Sequence, residues 1–291
     1  MRWRRYADCA RLNMRLFRLW VLRRWIASGD VAASYDRLAP EYDRAWLIHL
    51  QAVTERMLSH LPSSLPEGPI LDLGCGTGFT ALRLAERFSD RLIEACDFSP
   101  GMIAEAQTRP GAEAVRWQVA DLLSFLSARP TASAALAVAA WSAGYLDVRR
   151  VAREGHRVLR PGGVFAWVVN LADTLAPLRR AFRYCMQAHS DELRYLAHFP
   201  FPRNGKAVLS AMRRAGLCVI HAEEGACEIA PPADEDGRRL PWLLRTGTLA
   251  GFDAMLPLDC AGPVADTFEA RLAEDPEPIR HHYILAVAVR P

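Results

Sequence analysis

Three glycines alternate with other residues directly after a short apolar run, and an acid stands inside the end of that run. The run is Ile70–Leu73, the acid is Asp72, and the glycines are Gly74, Gly76 and Gly78. Glycine has no Cβ, so a turn built from it accepts positive φ and lets a ligand approach the bare backbone. The free N–H groups of a helix that follows would point at that ligand. The stretch therefore predicts a strand, a ligand-binding turn and a helix, with a tight turn that binds nothing as the alternative.

Two further acids stand at the ends of predicted strands. Asp97 ends the segment Leu92–Asp97 and lies 21 residues after Gly76. An acid at the end of a second strand is placed to meet a ribose, because two neighbouring hydroxyls can each donate to one carboxylate. Asp121 ends a third apolar segment, 24 residues after Asp97. These spacings favour an α/β fold with its ligand at the carboxyl ends of the strands.

The order of the acid and the glycines distinguishes a dinucleotide-binding turn from other nucleotide-binding turns. A dinucleotide site reads G-x-G-x-x-G, whereas residues 72–78 read D-x-G-x-G-x-G. This pattern resembles motif I of the class I S-adenosylmethionine (SAM)-dependent methyltransferases, and residues 31–170 are similar to their UbiE-like, small-molecule branch. The resemblance implies that SAM binds here, without a metal, and leaves as S-adenosylhomocysteine. The residues that it assigns to this turn are Asp72, Gly74, Cys75, Gly76 and Gly78.

The same resemblance assigns the adenosine part of SAM. Asp97 would accept from the ribose hydroxyls, and Phe98 and Met102 would flank the adenine, in a stretch similar to the family's D-x-S-x-x-M pattern. Asp121 would accept from the adenine amino group, while the backbone N–H of Leu122 reaches the ring. Every one of these residues follows a predicted strand.

Aromatic residues before and after this segment complete the predicted site. Tyr35 and Tyr42 belong to two Tyr-Asp pairs, which resemble a segment that folds over the methionine end of SAM. Two tyrosines packed at a helix interface are the alternative. Trp141 follows the fourth strand, where the family contacts the SAM ammonium through its backbone and where DNA methyltransferases carry a different motif. Tyr145 either donates a hydrogen bond to the substrate or packs.

The predicted elements alternate between strand and helix, which indicates an α/β protein. The resemblance implies a Rossmann-like, doubly wound sheet of seven strands, six parallel and one antiparallel at the edge. The apolar segment Ala132–Ala140 is the predicted central strand, and Leu217–Glu223 and His282–Val289 are strands six and seven, the last being the antiparallel edge. Ser99 is a predicted helix N-cap.

The chain divides into a helical N-terminal extension, residues 1–61, and a methyltransferase domain, residues 62–291. Two segments are longer than the fold needs, residues 171–214 and 224–281. Insertions of this length usually have a function. We expect them to form a lid that binds the substrate.

The predicted reaction is transfer of a methyl group from SAM to an oxygen or carbon of a small apolar or aromatic metabolite, such as a natural product or quinone precursor. A phenol or enol acceptor would benefit from a base, and His198 and His189 are the candidates, with Tyr145 as a polar orienting group. Two alternatives stay open. The chain would be a protein or peptide methyltransferase docked through its N-terminus, or a cyclase-like protein that binds SAM without methyl transfer.

Composition limits the remaining possibilities. The net charge is only +3, which does not call for nucleic acid, and the seven cysteines are scattered and form no metal-binding pattern with the eight histidines. Scattered cysteines suggest reduced thiols and a cytoplasmic protein.

The charge is uneven along the chain. Residues 1–30 carry eight arginines and two aspartates, a net charge of +6, so the remainder carries about −3. The segment reads as a helix with arginines interrupting its apolar residues, which excludes a signal peptide or a membrane span. It would pack on the body or on a second subunit as a homodimer contact, associate with a membrane or a lipid substrate, or bind nucleic acid. Its apolar residues lie nearly all round the helix, which weakens the prediction of a helix lying on a membrane surface. Residues 224–281 are a second candidate for the dimer contact.

Overall fold

Seven strands form one sheet in a computed structural model that describes residues 2–291, with the backbone alone at positions 2–5 and 47. In chain order, the strands are β1 Ile70–Leu73, β2 Ile93–Asp97, β3 Val115–Val119, β4 Ala134–Ala140, β5 Leu159–Asn170, β6 Cys218–Ile229 and β7 Ile279–Val289. Their order across the sheet is β3-β2-β1-β4-β5-β7-β6. The order reverses between β1 and β4, which in open α/β sheets is the place where ligands bind.

The fold class and the numbers of parallel and antiparallel strands are confirmed. Strands β1 to β5 pair in parallel, and β7 pairs antiparallel with β5 from Val164 opposite Val289 to Asn170 opposite Tyr283. The position of the antiparallel strand was predicted wrongly, because β7 lies between β5 and β6 and β6 forms the edge. Residues 284–288 of β7 are all buried, which is typical of a strand covered on both faces.

Helices cover both faces of this sheet because each has one apolar stripe. They are α3 Ile48–Ser59, α4 Phe79–Arg87, α5 Pro100–Gln107, α6 Leu122–Ser127, α7 Val148–Val158 and α9 Gly205–Arg214. Residues of β4 alternate between the two buried clusters: Ala137 and Ala139 belong to one, and Leu136 and Val138 to the other. The small residues of β4 therefore let helices approach the middle of the sheet from either side.

The chain forms two compact units. One comprises residues 47–174, 199–227 and 281–291 and contains most of the sheet; we call it the sheet unit. The other comprises residues up to 46, 175–198 and 228–280; we call it the helical unit. Its helices are α1 Arg2–Val21, α2 Ser28–Leu38, α8 Ala176–Ala188, α10 Leu240–Leu243, α11 Phe252–Met255 and α12 Pro263–Glu274.

The helical N-terminus is confirmed as α1, which packs against α8 within the helical unit. In the described part of the chain, no helix has the length and apolar character needed to cross a membrane. The division into units assigns residues 199–214 to the sheet unit and residues 175–198 to the helical unit. That the two predicted insertions act as a substrate lid stays a prediction.

Candidate functional site

The glycine turn adopts the backbone that its sequence predicts. Gly74, Gly76 and Gly78 all have positive φ, at +73°, +54° and +88°. A Cβ at Gly74 would lie 2.3 Å from the Cβ of Ser142, and one at Gly78 would lie 2.7 Å from the indole of Trp117. A Cβ at Gly76 would meet nothing within 4 Å. Gly74 and Gly78 are therefore required by packing, whereas Gly76 borders open space into which a ligand can fit.

Asp97 is linked directly to this turn. Its Oδ2 accepts a hydrogen bond from the Gly76 N–H at 2.9 Å, and its Oδ1 accepts one from the Ser99 N–H at 2.9 Å. The side chain of Asp97 is buried, and the two hydrogen bonds hold it in one orientation. Each carboxylate oxygen can accept a second hydrogen bond. Asp97 can therefore still accept from ligand hydroxyls beside Gly76.

Asp72 is a buried acid beside the backbone N–H of Ala81, and in the described part of the chain neither of its oxygens makes a hydrogen bond of full strict geometry. Burial, and then the charge of Asp97, raise the pKa of Asp72 to about 8. Buried charged groups are normally paired, because burying an isolated charge is costly. A buried carboxyl group without a cationic partner among the described residues, next to a glycine turn with open space, fits a ligand whose positive charge would favour its ionised form. SAM does, through its ammonium and its sulfonium.

The residues predicted to surround adenine follow β2 and β3. Ser99 is the N-cap of α5 and accepts from the N–H of Met102 at 3.0 Å, so the predicted cap is confirmed. Met102 is buried and Phe98 is half-buried. Both residues stand directly beyond the carboxyl end of β2, where the resemblance assigns the adenine contacts.

Asp121 is the N-cap of α6. Its Oδ1 accepts from the N–H groups of Leu123 and Ser124 at 3.0 and 3.1 Å. Partial burial raises the pKa of Asp121, but these hydrogen bonds and the charge of Arg150 lower it, and the net shift is downward. One oxygen is thus used by the helix, and Leu122 is the first residue of that helix, with its side chain buried. A cap and an adenine contact are compatible, because a carboxylate has two oxygens.

Trp141 has a strained backbone. Its φ is +66°, an uncommon conformation for a bulky residue. Its N–H donates to the Val168 carbonyl at 2.8 Å, and its indole N–H donates to the Thr54 hydroxyl at 3.1 Å. Such strain persists where surrounding contacts impose it, and it occurs often at functional sites. Trp141 directly follows the carboxyl end of β4, next to the switch in strand order. Its contact with SAM stays a prediction.

A buried polar cluster next to Trp141 was missed by the sequence analysis. The Nδ1 atom of His281 lies 3.1 Å from Asn170 Oδ1 and 3.1 Å from Thr174 Oγ1, and the His281 ring packs edge-on to Trp141 at 5.8 Å between centroids. Burial lowers the pKa of His281 to about 3, and the charges of His282 and His49 act in the same direction, so the ring is neutral near pH 7.

Two signals for this cluster were present in the sequence. Asn170 ends an apolar segment, and His281 stands directly before the predicted strand His282–Val289. In the structure, β7 begins beside the carboxyl end of β5 and brings the two residues together. The pairing could not be predicted, since 111 residues separate Asn170 from His281.

Tyr145 lies in an aromatic cluster of the sheet unit. It ends the 3₁₀ turn Ala143–Tyr145 after β4, and its ring lies 6.0 Å from the Phe199 ring and 5.2 Å from the Phe201 ring. The ring of Tyr145 therefore packs against two phenylalanine rings. Its role toward a substrate stays a prediction.

Four predicted site residues belong to the helical unit. Tyr35 and Tyr42 pack edge-on at 6.3 Å although α2 ends at Leu38, before Pro40. Their role in SAM binding stays a prediction.

The two candidate bases also belong to the helical unit and differ from each other. His189 Nε2 lies 2.8 Å from Thr267 Oγ1, and that hydroxyl donates to the Pro263 carbonyl. The hydroxyl proton is therefore used, and His189 must be the donor to Thr267, which ties the end of α8 to α12. His198 is exposed. Within residues 2–291 as described, no group of three or more His, Cys, Asp or Glu residues is placed to hold a metal ion.

Comparison with known proteins identifies the family of this chain. Residues 70–163 match a family model described as a methyltransferase domain. The chain is 33% identical over 207 residues to the malonyl-[acyl-carrier protein] O-methyltransferase of Dechloromonas aromatica (strain RCB), which covers 70% of this chain and 71% of that protein. It is 29% identical over 194 residues to the malonyl-[acyl-carrier protein] O-methyltransferase of Nitrosospira multiformis, with 60% and 61% covered.

A solved structure shares the fold. The geranyl diphosphate C-methyltransferase from Streptomyces coelicolor A3(2), crystallised with Mg²⁺, geranyl diphosphate and S-adenosyl-L-homocysteine, gives a TM-score of 0.50 at 18% identity and covers 83% of this chain and 78% of that one.

The sheet order and the glycine turn define a Rossmann-like nucleotide-binding enzyme. The chain belongs to the class I SAM-dependent methyltransferases. The methyltransferase class predicted from residues 72–78 and 97–102 is confirmed. The activity is transfer of a methyl group from SAM to a small-molecule acceptor.

Proposed function

We propose that this enzyme O-methylates the free carboxylate of a malonyl group carried on an acyl-carrier protein. The observation that supports this acceptor is the 33% identity to a malonyl-[acyl-carrier protein] O-methyltransferase over 71% of that protein's length. The sequence alone favoured a small apolar or aromatic metabolite. A malonyl group is also a small acceptor, but it is charged, and it arrives on a protein.

In this proposal, the sheet unit binds SAM with the residues that surround Gly76. Asp97, held by two backbone N–H groups, accepts from the ribose hydroxyls. Asp72 supplies a negative charge that balances the positive charge of the ligand, and Gly76 leaves room for close approach. Phe98, Met102, Asp121 and Leu122 bind the adenine. SAM itself supplies the activated methyl group on its sulfonium.

A carboxylate acceptor simplifies the chemistry required of the protein. One carboxylate oxygen forms the new bond to the methyl carbon, while the carbon–sulfur bond breaks and its electron pair stays on sulfur. Carboxyl groups have a pKa of about 4, so the acceptor is already ionised near pH 7 and no proton must be removed. The protein then has to orient the acceptor and exclude water. The strained Trp141 and the buried cluster around His281 supply rigid walls for that purpose.

A second candidate acceptor is a free apolar metabolite, as the sequence predicts. The observation in its favour is the cluster of Tyr145, Phe199 and Phe201, whose rings offer an apolar surface in the sheet unit. A hydroxyl acceptor of this kind would need a base, for which His198 and His189 are the candidates.

The experiment that tests the proposal follows radioactive methyl from SAM into two acceptors. Purified enzyme is incubated with malonyl-[acyl-carrier protein], or with an organic extract of cells. Asp97→Asn serves as a control that should lower incorporation by at least about tenfold, the scale of a lost hydrogen bond to a charged group. Label on the malonyl-carrier protein, released by base as methanol, supports the proposal. Label only in the organic extract would contradict it and support the second candidate.

A further inference from the structure

Helix α1 has a buried face and an outward face that differ clearly. Leu12 and Leu19 are buried, and α1 packs on α8 and on the turn at Ser190–Glu192. The guanidinium of Arg15 donates two hydrogen bonds, at 2.9 and 2.6 Å, to the carbonyl of Leu193. These contacts fix which side of α1 faces the protein. The opposite side of the helix therefore faces outward.

The outward face is apolar and aromatic. Its side chains recur at three- or four-residue spacing or a multiple of it, which places them in one stripe along the helix. Tyr6 is 71% exposed, Phe17 65% and Trp20 60%. Met14 and Val21 lie in the same stripe, and the rings of Phe17 and Trp20 are 6.1 Å apart. Single exposed apolar residues are ordinary, but a continuous stripe marks an interaction surface. We call these five residues the α1 stripe.

Arginines lie beside the α1 stripe and just beyond the end of the helix, and one of them, Arg11, forms an ion pair with Asp8. Arg11 and Arg18 are exposed on α1, and Arg23 and Arg24 are exposed just beyond its end. Residues 1–30 have eight arginines and two aspartates, hence a net charge of +6, while the chain as a whole has +3. The surface thus combines an aromatic centre with basic flanks.

The aromatic stripe and the arginines beside it fit a lipid surface better than a second copy of the chain or nucleic acid. A second copy bound through the same surface would place one +6 segment against another, since a two-fold contact joins identical patches. Nucleic acid would require positive charge at the centre of the surface, where the α1 stripe has aromatic and aliphatic side chains. A lipid surface with anionic headgroups matches both parts, because aromatic side chains settle at the boundary of headgroups and acyl chains and arginines attract the phosphates.

We propose that the α1 stripe and its arginines bind an anionic lipid membrane, with α1 lying along the surface. This proposal does not depend on the methyl acceptor. It concerns the helical unit alone, and its failure would leave the proposed reaction unaffected.

The test is cosedimentation of the full-length protein with vesicles of phosphatidylcholine or of an equimolar mixture of phosphatidylcholine and phosphatidylglycerol. Several arginines near a charged surface should strengthen binding to the mixed vesicles by at least about tenfold. Phe17→Glu and Trp20→Glu should each reduce that binding by about tenfold or more, because an acid replaces an aromatic group that would enter the lipid and repels the anionic headgroups. Raising the salt concentration should weaken it.

Ile220→Glu is the matched control, since Ile220 is an exposed aliphatic residue on β6 and lies far along the chain from α1. It should bind mixed vesicles as the unmodified protein does. SAM binding by each variant confirms that it is folded. Absence of binding to mixed vesicles, or equal loss in Ile220→Glu and Trp20→Glu, would overturn the proposal. So would a dimer in light scattering that Phe17→Glu dissociates while vesicle binding is absent.

Discussion

The ionisation of Asp72 should make SAM affinity depend on pH. Its carboxyl has a pKa of about 8 in the unliganded protein, raised from 3.8 by burial and then by Asp97. A bound cation favours the ionised form, so binding below pH 8 must release a proton. We therefore expect SAM affinity to rise as pH increases from about 6 to 8 and to level off above that value. Isothermal titration calorimetry in buffers of different ionisation enthalpy measures both the affinity and the released proton.

The stability of the unliganded protein should change in the opposite direction. Between pH 3.8 and about 8, the folded state keeps a proton on Asp72 that the unfolded state has lost, so rising pH lowers the free energy of unfolding. Asp72→Asn removes the ionisable group and should flatten both pH dependences. A pH-independent SAM affinity without proton release would show that Asp72 does not meet the charge of SAM.

Gly74 and Gly76 form a matched pair, because both have positive φ but different surroundings. Gly74→Ala places a Cβ 2.3 Å from that of Ser142, so it should cost about 1–3 kcal/mol of stability beyond the strain shared by both variants. Gly76→Ala meets nothing and should fold, with a cost of about 1–2 kcal/mol from its backbone. We expect it to weaken SAM binding by at least about tenfold, because the new methyl group occupies the space left for the ligand.

Urea unfolding and SAM titration of these two variants separate packing from binding. If Gly76→Ala bound SAM as tightly as the unmodified protein, the ligand would not approach the turn at this residue, and the placement of SAM beside Gly76 would be wrong. Loss of stability in Gly74→Ala alone would say nothing about SAM, which is why the pair is needed.

At the scale of elements, His281 joins the start of β7 to the end of β5 and to the segment after it. Its pKa is lowered to about 3, so the folded protein keeps the ring neutral where the unfolded chain, with a pKa near 6.5, binds a proton. The contribution of His281 to the free energy of unfolding should therefore fall as pH decreases below 6.5, with a slope that approaches about 1.4 kcal/mol per pH unit and is opposite in sign to the contribution of Asp72.

His281→Gln should be less stable at pH 7 but should lose this part of the slope. Urea unfolding at pH 5 and pH 7 measures it, and His198→Gln, at an exposed position, is the control that should keep the slope. An unchanged slope in His281→Gln would mean that folding does not lower the pKa of His281.

At the scale of the whole molecule, the fold of the sheet unit could be predicted from the sequence, whereas the packing of the helices in the helical unit could not. Asp72, the glycines, Asp97 and Asp121 lie in local strand–turn–helix patterns, and such patterns are set by neighbouring residues. The helical unit combines three distant chain segments, residues up to 46, 175–198 and 228–280. Periodicity within one helix does not say which other helix it meets. The same reason explains why the contact of His281 with Asn170 and the position of β7 inside the sheet were missed.

The nature of the acceptor decides whether the enzyme needs a base at all. A malonyl carboxylate is ionised above about pH 5, so kcat at saturating SAM should be nearly constant between pH 6 and 8. His189→Gln and His198→Gln should then change kcat by less than about threefold, because His189 donates to Thr267 and His198 is exposed. A hydroxyl acceptor would instead lose about 10²–10⁴-fold without its base. Steady-state kinetics with malonyl-[acyl-carrier protein] over this pH range therefore tests whether methylation of this acceptor proceeds without a base, and a large loss in either variant would contradict that expectation.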